Sequence, residues 1–455
     1  MASISTGALS QWMTLAPEIL SEIFLHSIPF PEEKRFARPS NGPTIPAMFS
    51  LGISHVCRQW RQAAIGYSRL WSFLDLVQSA DQSAESRALQ LIATYLQRSG
   101  LCQLTIVLTY EYSTRHVLLA QLLQQSSRWV TIYFDAYCLH MASPTSVGPS
   151  IEWSQIKFPL LKNVVKFDSG QQVESFNHGE NYRPLMDIFQ TSNLQRYYNY
   201  CSNDVEEDEL VYLLDSVVRL RYCFQDDIAD VFTDPNIGPQ PWEFAYDRLE
   251  YASLRVESDI LRTHGQGFLH HFDFPNLRGL NLRVVNPFAR PNLFARLPNM
   301  NLPGYFPNLR VLRICGDVYI DRPTLQNMFN VLAQLTDLTL DLLRSTAMVD
   351  NVVELLTPQA GVVRLPQMEH LRISMYPHHH LTLLVTMVSL RFGGLPGAVF
   401  APLRSFMLVA PPDLQAAFSV LTQLRLANGW DIGVKGFKEV DLWEDAFGGE
   451  FCLDI

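Results

Sequence analysis

Beyond residue 95 the apolar positions recur as apolar-x-x-apolar-x-apolar, often led by Phe-Pro or Pro. The clearest copies are Phe274-Pro275-Asn276-Leu277-Arg278-Gly279-Leu280-Asn281-Leu282 and Phe306-Pro307-Asn308-Leu309-Arg310-Val311-Leu312-Arg313-Ile314. Others are Met368/Leu371/Ile373, Leu403/Phe406/Leu408, Leu335/Leu338/Leu340 and Leu249/Ala252/Leu254. Weaker ones are Leu161/Val164, Leu194/Tyr197, Val217/Leu220/Tyr222, Trp129/Ile132/Phe134 and Leu101/Leu104/Ile106. Each alternates in the way a short strand does. Helical stripes lie between several of them: Leu325, Met328, Phe329 and Leu332; Val349, Val352, Val353 and Leu356; Leu381, Leu384, Val385 and Val388. A last helix is expected over Asp413 to Asn428, ended by Gly429, with a strand near Asp431 to Val434.

The copies start about 30 residues apart on average, a period that signals strand–turn–helix units stacked one on the next. Each unit leaves an apolar face open until a neighbour covers it. The pattern therefore predicts an irregular leucine-rich repeat-like α/β solenoid with a parallel sheet over residues 95–440. It departs from the regular form: spacings vary, and Val285, Asp317, Leu343 or Tyr376 stand where such repeats carry a ladder asparagine. Without that ladder the turns must satisfy their backbone groups by other means. An ordinary α/β domain with a parallel sheet has the same alternation and stays open as the alternative.

The N-terminal part reads differently. Leu15 to Leu25 forms a short amphipathic stripe, with Pro17 suited to a first helical turn and Glu18 to the positive end of the helix dipole. Ile19 and Ile23 are four residues apart, as are Leu20 and Phe24. A second stripe, expected from Ser54 as N-cap through Ala64, places Val56, Trp60, Ala63 and Tyr67 on one face with Cys57 beside it, and Leu70-Trp71 closes the segment. Two tryptophans and so many aliphatics exceed what a small three-helix unit buries by itself, which points to a partner surface.

The blocks Leu-x-Pro-Glu-Ile-Leu-x-x-Ile-Phe, then Val-Cys-Arg-x-Trp and Leu-Trp, resemble the F-box, in particular the F-box-like modules of fungal families that continue into leucine-rich repeats. The resemblance covers residues 12–76, about a seventh of the chain. It implies a helical docking module for the linker subunit of an SCF-type cullin-RING ubiquitin ligase, and through it a cullin. The residues matching the family pattern are Leu15, Pro17, Ile19, Leu20, Ile23 and Phe24 in the first block and Val56, Cys57, Trp60, Leu70 and Trp71 in the later one. These are the expected linker contacts. Between the blocks, Pro29 to Pro46 holds five prolines and Asn41-Gly42, a longer separation than the family usually has. Closure entropy grows only logarithmically, so a longer loop is cheap, and the second helix is expected to shrink to about Ala47–Gly52.

Composition narrows the function. Net charge is −10, with no long Lys/Arg cluster, which disfavours nucleic acid. No signal-peptide core opens the chain, and Leu381 to Leu390 falls short of the roughly 20 apolar residues a bilayer needs. Seven scattered cysteines form no close pair. A cytoplasmic or nuclear protein is expected.

Candidate chemistry is sparse. His378-His379-His380, near His370, lacks metal-ligand spacing. Gly265-Gln266-Gly267 lacks the third glycine of a dinucleotide loop. Cys57 on an apolar helix face suits a buried, inert thiol. Glu206 to Glu209 reads as a solvated helix start, and Trp242 and Trp430 as core residues. The expectation is an adaptor without catalytic residues, metal or cofactor, whose repeats bind a protein target. The alternative is a repeat scaffold whose N-terminal helices only cover the end of the array.

Overall fold

The computed structural model describes residues 15–27, 49–76, 82–108, 116–135, 156–167, 194–199, 217–224, 247–257, 274–285, 306–316, 320–342, 346–359, 362–374, 381–394, 400–410 and 415–436. The inter-block segment 29–46, the acidic run 206–209, Trp242, Gly265–Gly267, His378–His380 and the tail after 436 lie outside them. The chain divides into two compact units, Met1–Cys201 and Ser202–Ile455.

The first unit opens with helices α1 (Pro17–His26), α2 (Phe49–Val56) and α3 (Arg58–Gly66) and a 3-10 turn, Ser68–Trp71. Strands β1 (Phe73–Leu76), β2 (Leu104–Leu108), β3 (Trp129–Asp135), β4 (Asn163–Phe167) and β5 (Arg196–Asn199) follow. Helices α4 (Gln82–Ser99) and α5 (His116–Leu123) connect β1 to β2 and β2 to β3. The second unit carries β6 (Arg219–Phe224), β7 (Tyr251–Glu257), β8 (Gly279–Val285), β9 (Val311–Gly316), β10 (Asp337–Leu342), β11 (His370–Ser374), β12 (Ser405–Ala410) and β13 (Asp431–Gly436). Helices α6 (Arg322–Val331), α7 (Thr346–Leu356), α8 (Leu381–Gly393) and α9 (Gln415–Asn428) join the last five strands.

The fold is α/β, with parallel sheet in both units, β1 to β5 in the first and β6 to β13 in the second each in sequence order. Parallel neighbours need a crossover between them, and the intervening helices supply it where they are described. The eleven copies of the apolar pattern fall at β2 to β12. β1 was not expected: Phe73 and Leu74 follow directly on the helical module and pair with Thr105 and Ile106.

Register explains which triplet positions are apolar. The second residue of each strand's pairing register falls in one column: Leu74, Ile106, Ile132, Val164 and Tyr197 in the first unit, and Leu220, Ala252, Leu280, Leu312, Leu338, Leu371, Phe406 and Ile432 in the second. All are buried. Two residues on, Leu254, Leu282, Ile314, Leu340, Ile373 and Leu408 make a second buried column, with Lys166 and Asn199 the polar members in the first unit. Burying one such aliphatic contributes roughly 1.5–3 kcal/mol.

The turn before each strand repeats as well. The Phe274 carbonyl accepts from Leu277 N–H at 3.1 Å, and Phe306 from Leu309 at 3.3 Å. Asn276 Nδ2 donates to the Asp247 carbonyl at 2.7 Å, and Asn308 Nδ2 to the Pro275 carbonyl at 2.8 Å. Each asparagine thus ties its turn to the preceding one, while Phe274 and Phe306 stack at 6.1 Å. The expected final helix is described from Gln415 and ends at Gly429, whose φ of +68° suits a residue without Cβ.

Candidate docking site

The N-terminal module is built around one break. A single helix was expected from Ser54 through Ala64; instead α2 runs to Val56, Cys57 is extended (φ −155°, ψ 172°), and α3 starts at Arg58. Cys57 is the N-cap, its Sγ accepting from Trp60 N–H at 3.5 Å. Ser54, expected to cap, is buried in the last turn of α2 with its hydroxyl bonded to the Leu51 carbonyl at 2.7 Å. Arg61 Nε donates to the Ser54 carbonyl at 2.8 Å, satisfying one of the orphan acceptors at the α2 terminus, where a cation is favoured. The second helix is therefore longer than the expected Ala47–Gly52, reaching four residues farther along the chain.

Cross-links of high sequence separation hold the helices. Gln59 Nε2 donates to the Leu15 carbonyl (3.1 Å), Tyr67 Oη to Glu22 Oε1 (2.7 Å), Ser50 Oγ to the Leu70 carbonyl (2.7 Å) and Trp71 Nε1 to the Ala64 carbonyl (2.6 Å). Burial, and then the bond to Glu22, holds the Tyr67 phenol above its ordinary pKa. Phe24 and Trp60 rings lie 4.9 Å apart. Trp71 is sealed between the Tyr95 ring at 4.9 Å and the Arg98 guanidinium at 4.3 Å.

The eleven residues that match the F-box pattern separate into three sets, buried, half-buried and exposed. Leu20, Phe24, Leu70 and Trp71 are buried and pack the module's interior. Leu15, Cys57 and Trp60 are half-buried, and Pro17 is exposed. Ile19, Ile23 and Val56 are exposed to 50%, 37% and 61%. Ile19 and Ile23, one turn apart on α1, line an open depression with Glu18, Glu22, His26 and Ser27. Ile65 on α3, 45% exposed, was missed; it sits one place off the apolar stripe that the sequence pattern traces. Other bare aliphatics, such as Leu101, Val362 and Leu426, stand singly in the chain, as is normal for a folded surface.

Among the described residues no group of three His, Cys, Asp or Glu is placed to hold a metal ion. His370 Nδ1 lies 2.7 Å from Ser405 Oγ. No helix of the described residues is long and apolar enough to cross a membrane. Trp430, half-buried, stacks on Phe392 at 5.0 Å. No family model matches the chain, and no curated protein is significantly similar to it.

Proposed function

We propose that this chain is a substrate-recognition adaptor of an SCF-type cullin-RING ubiquitin ligase, with α1 to α3 docking on the linker subunit and the repeats holding a target protein. The observation that carries the reading is the bare Ile19–Ile23 edge of α1, within a segment whose residues resemble an F-box. Burying each half-exposed isoleucine against a partner gives about 1 kcal/mol, enough to make a small set of such residues decide affinity. The repeats are read as an irregular leucine-rich repeat-like solenoid. The sequential strand order and the turn-to-turn asparagine bonds support that reading. Such an adaptor needs no nucleophile, since its contribution is to hold two other proteins close together.

The test is a pull-down with purified linker subunit. Wild type is expected to retain it. An Ile19→Asp/Val56→Asp variant, altered only at exposed positions, is expected to lose at least nine-tenths of the retained linker while keeping its circular dichroism spectrum. Equal retention by the two proteins contradicts the proposal.

One observation favours a second reading, in which the helices only cover the end of the array of a binding scaffold. The module runs without interruption into β1, and Trp71 packs on Tyr95 of α4. Cutting the chain after Leu76 would remove a sheet strand with the module, so point variants, not truncation, separate the two readings. A scaffold of this kind retains no linker in either form.

A further inference from the structure

The cross-links that hold the helical module differ in kind. Gln59, Ser50 and Trp71 each donate to a backbone carbonyl, at partly or fully buried positions. Tyr67 Oη instead donates to Glu22 Oε1 at 2.7 Å, a bond between two side chains at the surface. Its partners join the end of α3 to α1. Chemistry at one oxygen can undo a bond of this kind, whereas a carbonyl inside the backbone cannot be so altered.

Both ends of the bond are placed for such a change. Tyr67 is half-buried and has extended backbone (φ −106°, ψ 93°) between α3 and the Ser68–Trp71 turn, so a connection and not a helix interior carries its ring. Glu22 lines the same depression as Ile19 and Ile23. Whatever displaces Glu22 therefore displaces the bare edge of α1. A cation stands beside the pair: burial and then the Glu22 bond hold the phenol's pKa up, and the exposed Arg69 pulls against them.

Phosphoryl transfer to the phenol would turn this attraction into repulsion. An Oη–P bond forms, the P–O bond to the departing nucleoside diphosphate breaks, and the hydroxyl proton passes to solvent. The product carries about −1.5 to −2 charge near neutral pH and keeps no hydrogen for Glu22 to accept. The Glu22 carboxylate then faces a like charge where it had a donor. Arg69, in turn, offers the phosphate a charge-assisted fork of N–H donors beside α3. Both effects draw the ring away from α1. The Gln59 bond to Leu15 and the Phe24–Trp60 contact still tie α1 to α3, so the helix loosens without the module coming apart.

We propose that Tyr67 is a site of phosphorylation by a protein tyrosine kinase using a nucleoside triphosphate, and that the added phosphate frees α1 from α3 and withdraws the Ile19–Ile23 edge from its partner. This rests on the docking reading above and adds its regulation.

The full chain is treated with a soluble tyrosine kinase of broad specificity and magnesium ATP, and the phosphate is located by peptide mass spectrometry. Modified and unmodified protein are then compared by hydrogen–deuterium exchange and by linker pull-down. Phosphate is expected on the peptide containing Tyr67, and absent from that peptide in Tyr67→Phe. Phosphorylated wild type is expected to exchange at least threefold faster over residues 17–26 and to lose at least nine-tenths of the retained linker. Glu22→Gln keeps an acceptor for the Tyr67 hydroxyl but removes the like charge, so phosphorylation is expected to speed its exchange over 17–26 less than half as much. No phosphate on Tyr67, unchanged α1 exchange in the phosphorylated chain, or a response of wild-type size in Glu22→Gln overturns the proposal. So does equal linker retention by the phosphorylated and unmodified chains. If the unmodified chain retains no linker, the docking reading fails, while faster α1 exchange on phosphorylation still upholds the release of α1.

Discussion

Asp341 shows how a single side chain can work against the fold that surrounds it. Burial raises its pKa above the usual carboxylate range, and the Ser374 bond with Arg372 and Arg283 only partly offsets this. A carboxyl whose folded-state pKa is raised stabilises the fold while protonated. That contribution is lost as pH rises through the folded value. Asp341→Asn keeps an acceptor for Ser374 and removes the ionisation. It is expected to melt a few degrees higher than wild type at pH 7, with the difference closing as the pH falls into the carboxylate range. Thermal denaturation at a series of pH values checks this; a gap that widens toward acid would contradict it. Lys166 and Asn199 are further polar residues that no apolar pattern would place in a buried column.

At the scale of elements, the apolar triplets made strands β2 to β12 legible because parallel strands need an inward residue at every second place. Three features escaped the pattern for identifiable reasons. β1 is only four residues long and adjoins Leu70-Trp71, so its apolar residues looked like the end of the helical module. The break at Cys57 contains neither Gly nor Pro, and a sulfur acceptor is a weak cap that no propensity argument would select. Leu101 belongs to a triplet but is almost fully exposed, because it lies in the turn ahead of β2, next to Gly100 with its φ of +56°, and not on the strand itself.

Arg391 escaped too, since a basic residue near a helix end is expected in water. It is fully buried on α8 and donates to the carbonyls of Leu356 (2.9 Å), Leu365 (3.2 Å) and Arg364 (2.6 Å). It ties α8 to the end of α7 and to the turn where Leu365 has φ 47°. Desolvation lowers its pKa to about 10, still well above neutrality, so the charge is kept and those three acceptors are satisfied. Arg391→Leu leaves three carbonyls without their donor and is expected to cost about 3 kcal/mol in urea denaturation. A loss within experimental error would show that water replaces the guanidinium.

On the scale of the molecule, the surface proposed for docking lies on the first compact unit, where the bare isoleucines of α1 are flanked by Glu18 and Glu22. The residues that resemble an F-box include these isoleucines, but the pattern alone does not single them out. It did not distinguish Ile19, Ile23 and Val56, which face water, from Leu20, Phe24, Leu70 and Trp71, which hold the module together. Residues of both kinds recur in one motif because an exposed docking edge needs a rigid interior behind it, and alternating positions on a short helix serve both needs. The polar rows on the other face of β8 to β11 were not legible at all. Arg283, Arg313 and Arg372 are far apart in sequence and meet only through strand register.

Hydrogen–deuterium exchange of the full chain, with and without purified linker subunit, tests the central claim most directly. Added protection is expected in peptides spanning 17–26 and 53–65, with β8 to β11 unchanged. Exchange that is identical with and without the linker across both segments would contradict the account.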